Sequence, residues 1–227
     1  NSTGNESCNG ASRRPGVYFI ARQHSGETPG SWVLDGILRH LASPGGREMS
    51  NALCVWSVPF ADPDGVADGA YGKDQAPWDL NRAWGRVKRP EIHAIQSDVN
   101  RWTRQCEPRF VIDLHAPSHH ERGFYFWAPT TPKSSADPML ELARRYRSRV
   151  PEPLRGDEPA YRVWGVTDTS VQPGQSCIAY VSQNLGIPVA TLEISYQGPT
   201  WDTCYTQDDY RELGRILIET IYDFIKG

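Results

Sequence analysis

VYFIARQHSGETPGSWVLDGILRHL, Val17 to Leu41, decides the fold. Its first residues, Val17 to Ala21, form a short β-prone apolar run and read as a buried strand. Polar and turn-forming residues follow, from Arg22 to Pro29. Beyond Gly30, Val33, Leu34, Ile37, Leu38 and Leu41 recur at helical spacing, and Ser43-Pro44-Gly45-Gly46 stops the helix. The turn between strand and helix holds His24 and Glu27, three residues apart and separated by small residues. Such a pair is either a solvated polar turn or two ligands of one metal ion.

Working outward, the same alternation continues. Leu53 to Val58 reads as a strand, and Pro59 to Pro90 as a long Gly-, Pro-, Asp- and Trp-containing loop. Ile92, Ile95, Val99 and Trp102 mark a helix from Glu91 to Gln105. Phe110 to Leu114 and Phe124 to Trp127 are predicted strands, Met139 to Val150 and Gln175 to Leu185 helices. Pro188 to Ile194 is a further strand, and Asp208 to Ile225 a closing helix with Leu213, Ile216, Leu217, Ile221 and Phe224 on one face. No internal repeat is present. Strands alternating with helices predict an α/β domain with a mostly parallel sheet and helices on both faces. Residues 1–15 form a polar lead-in, and residues 16–227 are expected to be a single domain.

In such sheets ligands bind beyond the carboxyl ends of the strands. His24 follows the first predicted strand, His115 ends a later one, and Glu193 lies at the end of the last. All three can therefore converge on one crevice. A catalytic zinc takes three protein ligands from His, Glu, Asp or Cys and keeps one position open. His24, Glu27 and His115 would make such a set, the plain alternative being a polar turn beside an unrelated histidine. In the long loop, Asn81 and Arg82 would suit a grip on a carboxylate, a planar fork of donors beside an amide.

Composition narrows the partners. The 227 residues carry a net charge of −3 and the pI is near 6.1. Without a run of five or six like charges, there is no electrostatic footprint for nucleic acid or an anionic membrane. No apolar run approaches the roughly 20 residues that span a bilayer. The five cysteines, Cys8, Cys54, Cys106, Cys177 and Cys204, are too widely spaced for a CxxC zinc site, and their odd number argues against a disulfide framework. Asn1-Ser2-Thr3 and Asn5-Glu6-Ser7 match the N-glycosylation pattern, which leaves the compartment open. The sequence does not specify an oligomeric state.

Five stretches in order, ARQHSGETPGSW, DPDGV, DLNRAW, IDLHAP and TLEISYQG, cover Val17 to about Gly198. With them the chain resembles the zinc metallocarboxypeptidases, above all the cytosolic (deglutamylase-like) branch and its bacterial relatives. The resemblance implies a mixed eight-stranded sheet between helices, and one Zn2+ held by His24, Glu27 and His115. It implies Glu193 as general base and acid, and Asn81 and Arg82 as the grip on the C-terminal carboxylate of a peptide or protein substrate. It also implies Asp79 as acceptor of a hydrogen bond from a ligating histidine.

Some positions depart from the family pattern. An arginine is expected between DPDG and DLNR as oxyanion partner, but the cation there is Lys73, with Arg86 and Arg89 farther on. The mobile-loop tyrosine of well-known members has no counterpart near Val171, where Tyr161, Trp164 and Tyr180 are the nearest aromatics. His119 and His120 follow the strand-end histidine and are expected on the rim. Counting back from Glu193 places Cys177, Ile178 or Ala179 in the terminal-residue pocket, which Ile178 would make apolar; Arg162 would favour an acidic terminal residue. A desuccinylase- or aspartoacylase-type amidohydrolase shares the HxxE and strand-end His pattern. A zinc-binding module that recognises chain ends without cutting is the non-enzymatic alternative.

Overall fold

The first strand, β1 (Pro15–Ala21), is buried on both faces: Val17, Phe19 and Ala21 enter one apolar cluster, Tyr18 and Ile20 another. A strand buried twice lies inside a sheet covered by helices on both sides. The structure, a computed structural model, describes residues 13–75, 78–85, 89–130, 132–164 and 176–227. Helix α1 (Pro29–Ala42) starts with proline in its first turn, where the missing N–H costs nothing. Then come a 3₁₀ turn over Pro44–Gly46, α2 (Arg47–Ala52), strand β2 (Cys54–Val58), the short helix α3 (Pro63–Asp68) and a second 3₁₀ turn over Leu80–Arg82. Helix α4 (Pro90–Gln105) leads into β3 (Glu107–His115) and β4 (Phe124–Pro129). Helices α5 (Lys133–Arg149) and α6 (Glu152–Arg155) precede β5 (Tyr161–Trp164). Helix α7 (Cys177–Tyr180) widens into a π-helical turn over Val181–Leu185, ahead of β6 (Val189–Ile194) and α8 (Gln207–Lys226).

The sheet order is β2-β1-β3-β6-β4-β5. β1 is parallel to β2 and β3, β3 to β6, and β4 to β5, while β4 runs antiparallel to β6. The sheet is thus mixed and mostly parallel, as the resemblance implied, but it has six strands among the described residues rather than eight. The long Pro59–Pro90 segment has no apolar alternation to place on a sheet face; its described part folds into α3 and the 3₁₀ turn instead.

Apolar residues of α1, α5 and α8 cover one face of the sheet, and those of α4 and α7 the other. Helices α1 and α8 cross closely at Gly214, where an added Cβ would lie 2.0 Å from the Val33 carbonyl. The start of α8 is fixed by a capping box: Thr206 Oγ1 accepts from the Asp209 N–H at 3.2 Å, and the Asp209 carboxylate accepts from the Thr206 N–H at 2.7 Å. No helix among the described residues is long and apolar enough to cross a membrane.

Because β1, β3 and β6 are neighbours and parallel, their carboxyl ends lie along one edge of the sheet. Ala21 pairs with Leu114, and His115 with Glu193.

Candidate metal centre

The turn after β1 is strained. Arg22 has φ of 63°, the left-handed region, which costs a non-glycine residue on the order of 1–2 kcal/mol. Its guanidinium holds that conformation, with Nε donating to the Ser25 carbonyl at 2.6 Å and Nη1 to Ser31 Oγ at 3.1 Å. The segment after β2 braces the same turn. Asp62 N–H donates to the Arg22 carbonyl at 3.1 Å, and Gly26 N–H to the Tyr71 carbonyl at 2.8 Å. Gly72, at φ 101°, passes so close to Ser25 that a Cβ would lie 2.3 Å from its nitrogen. The DPDGV stretch thus supports the turn: Asp62 caps α3 by accepting from the Gly65 N–H at 3.2 Å.

This bracing aims His24 and Glu27 at one point, and Glu27 is the hub. Its Oε1 lies 2.8 Å from His24 Nδ1, and its Oε2 lies 2.7 Å from His115 Nδ1. The two Nδ1 atoms are 3.1 Å apart. Ala116 N–H donates to Glu27 Oε2 at 3.1 Å. Lys73 Nζ, half-exposed, stands 3.0 Å from Glu27 Oε1. His24, Glu27 and His115 are all buried, and one ligand atom of each falls within a 4.8 Å cluster.

Behind each imidazole is a carboxylate. His24 Nε2 is 3.1 Å from Asp79 Oδ1, which also accepts from the Asn81 N–H at 2.7 Å. His115 Nε2 is 2.9 Å from Asp113 Oδ2, which also accepts from Gln23 Nε2 at 2.6 Å. Gln23 is held in turn by Trp84 Nε1, donating to its Oε1 at 2.7 Å. Carboxylates at both Nε2 atoms hold a proton there, so that once the Nδ1 protons leave, both Nδ1 lone pairs face inward, the tautomer a metal requires. Two imidazoles and a carboxylate, oriented this way in a buried site, fit a zinc ion.

The electrostatics follow from burial and these pairs. Burial pulls the His24 pKa down, but hydrogen bonds to Asp79 and Glu27 outweigh it and the value ends above the ordinary one. At His115 burial again opposes the charge, and Asp113 and Glu27 overcome it by a wide margin. Burial pushes Glu27 up, yet the two histidines hold it well below the usual carboxylate range. Glu193 is the opposite case. Burial, helped by Glu27 and Asp113, raises its pKa to about 7 against the pull of His115 and Lys73. Its Oε2 is buried without a hydrogen-bond partner among the described residues.

The expected residues thus separate into groups. His24, Glu27, His115, Asp79 and Lys73 come together through direct contacts, and Glu193 lies beside His115 in register. Asn81 borders the centre: its Nδ2 is 3.4 Å from His115 Nε2, and its Oδ1 accepts from the Cys177 N–H at 2.9 Å. Arg82 is exposed, with Nη1 donating to the Asn81 carbonyl at 3.0 Å. Arg89 turns away, donating to Glu91 and to the Trp78 carbonyl. Arg86 and the segment around Val171 lie outside the described residues.

His119 and His120 are exposed, their rings close together and tilted at 44° to each other. Arg162 is engaged at both ends, by Glu121 and Glu158, each at 2.7 Å. Ile178 is buried. Sequence reasoning missed Asp113, although its position two residues before His115 on one strand places both on the same face. It also missed Gln23, whose contact with Asp113 is distant in sequence.

No protein-family model matches the chain. Among curated proteins it is similar to cytosolic carboxypeptidase 6 of Mus musculus, 25% identical over 241 residues, covering 99% of this chain and 43% of that protein. The chain spans less than half the length of the curated relatives it matches first. Among solved structures, a metallo-carboxypeptidase from Burkholderia cenocepacia superposes with a TM-score of 0.76 at 18% identity, covering 96% of this chain and 58% of that one. A succinylglutamate desuccinylase from Chromobacterium violaceum gives 0.62 at 18% identity, with 92% and 60% coverage. The resemblance seen in the sequence is to the same carboxypeptidase group that these comparisons return.

Proposed function

We propose that this chain is the catalytic domain of a zinc-dependent metallocarboxypeptidase that hydrolyses the C-terminal bond of a peptide or protein. One observation carries the proposal: two inward-facing Nδ1 atoms and both oxygens of Glu27 converge, each imidazole backed by its own carboxylate. His24, Glu27 and His115 would hold the zinc, which when bound supplies Lewis-acid polarisation of a carbonyl and acidifies water.

The chain's own residues do the rest. Glu193, with a pKa of about 7, is poised to take a proton near neutral pH and to return it to the leaving amine. Lys73 would supply positive charge for the developing oxyanion, as a point charge without the fork of an arginine. Arg82 is accessible to a terminal carboxylate, and Asn81 borders the ligand set beside it. Fixing the chain end there would admit only the last peptide bond to the reacting centre.

The test compares peptides with free and amidated C-termini, in zinc-loaded and chelated protein. Cleavage is expected only for the free terminus and only with metal. Glu193→Gln is expected to retain zinc and lose about 10²–10⁴ in kcat. Full activity in that variant would refute the assignment. The desuccinylase-like fold match favours a second reading, an amidohydrolase of small N-acyl amino acids. Turnover of succinyl-glutamate or acetyl-aspartate without turnover of peptides would select it.

A further inference from the structure

Tyr196 is a residue the reaction scheme leaves unused. Its hydroxyl is buried, and among the described residues no acceptor or donor partners it. A buried polar group left unpaired costs about 1–3 kcal/mol, so such a group calls for an explanation. Tyr196 follows Glu193 by three residues, just past the end of β6, and the charges that bear on it are those of Glu27, Tyr71 and Glu193, with Arg22 opposing them. Burial and these carboxylates push the phenol well above its ordinary pKa. It therefore keeps its proton throughout the working range and is available as a donor.

The backbone around it is fixed from several sides. Ser195 N–H donates to the Gly123 carbonyl at 2.9 Å, and Ser195 Oγ to the Glu121 carbonyl at 2.9 Å. Tyr210 Oη donates to the Ser195 carbonyl at 2.8 Å. Beyond Tyr196, Gln197 N–H donates back to Ser195 Oγ at 3.2 Å, and Tyr205 N–H to the Gln197 carbonyl at 2.7 Å. Preorganised donors of this kind stabilise charge that develops in a transition state without reorganising. Lys73, in contrast, already points its ammonium at Glu27.

Building on the carboxypeptidase reading, we propose that Tyr196 Oη donates a hydrogen bond to the oxygen of the scissile carbonyl as it becomes the oxyanion. Tyr196 is then a catalytic residue that supplies a neutral donor alongside the Lys73 charge.

Tyr196→Phe removes the hydroxyl and keeps the ring. The zinc-loaded variant is compared with wild type on a C-terminally free peptide and in binding a phosphinic dipeptide, a tetrahedral analogue. The expected result is a loss of about 10²–10³ in kcat with KM changed less than about threefold. The analogue should weaken by a comparable factor, while zinc content stays at the wild-type value and the melting temperature does not fall. A kcat within about threefold of wild type overturns the role, as does a rise in KM alone, which would mark ground-state binding. A wild-type chain that cleaves no peptide overturns the carboxypeptidase reading itself and this role with it. Equal rates in an active wild type and variant overturn only the role of Tyr196.

Discussion

Asp113 is where the structure makes its sharpest quantitative demand. Its Oδ2 accepts from both His115 and Gln23, its side chain is fully buried, and its Oδ1 has no partner. In Asp113→Asn the amide oxygen can take the place of Oδ2 and keep both bonds, so geometry survives and only charge is lost. A hydrogen bond to a charged group contributes about 1.5–3 kcal/mol and a neutral one about 0.5–1.5. The difference, about 1.4 kcal/mol at His115, corresponds to roughly tenfold weaker zinc binding. Asp113→Ala is harsher, because the His115 Nε2–H is left buried without an acceptor, at a cost of about 1–3 kcal/mol and a loss of roughly 10- to 100-fold.

Asp79 performs the same task for His24 but is 18% exposed, so water can replace part of what Asp79→Asn removes. Its effect should be about threefold. The assay is competition for zinc against a chelator of known affinity at fixed pH and salt. Zinc affinities of both Asp113 variants within about twofold of wild type would refute the orienting role. So would a larger loss at Asp79 than at Asp113.

Other expectations follow from the same contacts. Glu193 has a folded pKa of about 7, above its ordinary 4.5, so its ionisation destabilises the metal-free fold as pH rises between those values. Glu193→Gln should therefore stabilise the metal-free protein by about 3 kcal/mol at about pH 8 and by almost nothing near pH 4, read from denaturant midpoints. Both histidine pKa values are raised in the metal-free site, so zinc binding near pH 6 should release close to two protons. Calorimetry in buffers of different ionisation enthalpy measures that number, and a value near zero would contradict the pairing described. Gly214→Ala should lower stability by about 2 kcal/mol or more, seen as a lower melting temperature, because its Cβ has no room against the Val33 carbonyl.

What could be read from the sequence depended on how local the cause was. The β1–turn–α1 unit was legible because apolar spacing changes from a continuous strand run to helical period within one stretch, and the ligand pair sits between the two. His115 and Glu193 were legible as strand ends, and their register confirms that both mark the same edge. Asp79 was nominated from the motif, and its contact with His24 shows why it sits beside Asn81 on the 3₁₀ turn. Strand number was less legible, because the long loop has no period with which to count strands. Asp113 and Tyr196 were missed for different reasons. The first reads as one more polar residue in an apolar strand, and the second acquires meaning only once its hydroxyl is seen to lack a partner.

The charges of the cluster balance one another. Two protonated imidazoles and Lys73 face three carboxylates, Glu27, Asp79 and Asp113, in a site where an unpaired charge would cost several kcal/mol. A divalent cation that displaces the two Nδ1 protons leaves the total charge unchanged. Glu193 is the one carboxylate omitted from this balance, and its Oε2 is left without a hydrogen bond. Its pKa consequently rises while those of Glu27 and Asp79 fall. Neighbouring acids pushed in opposite directions are the division of labour that a ligand set and a proton carrier need, and here the division comes from which of them has a histidine to pair with.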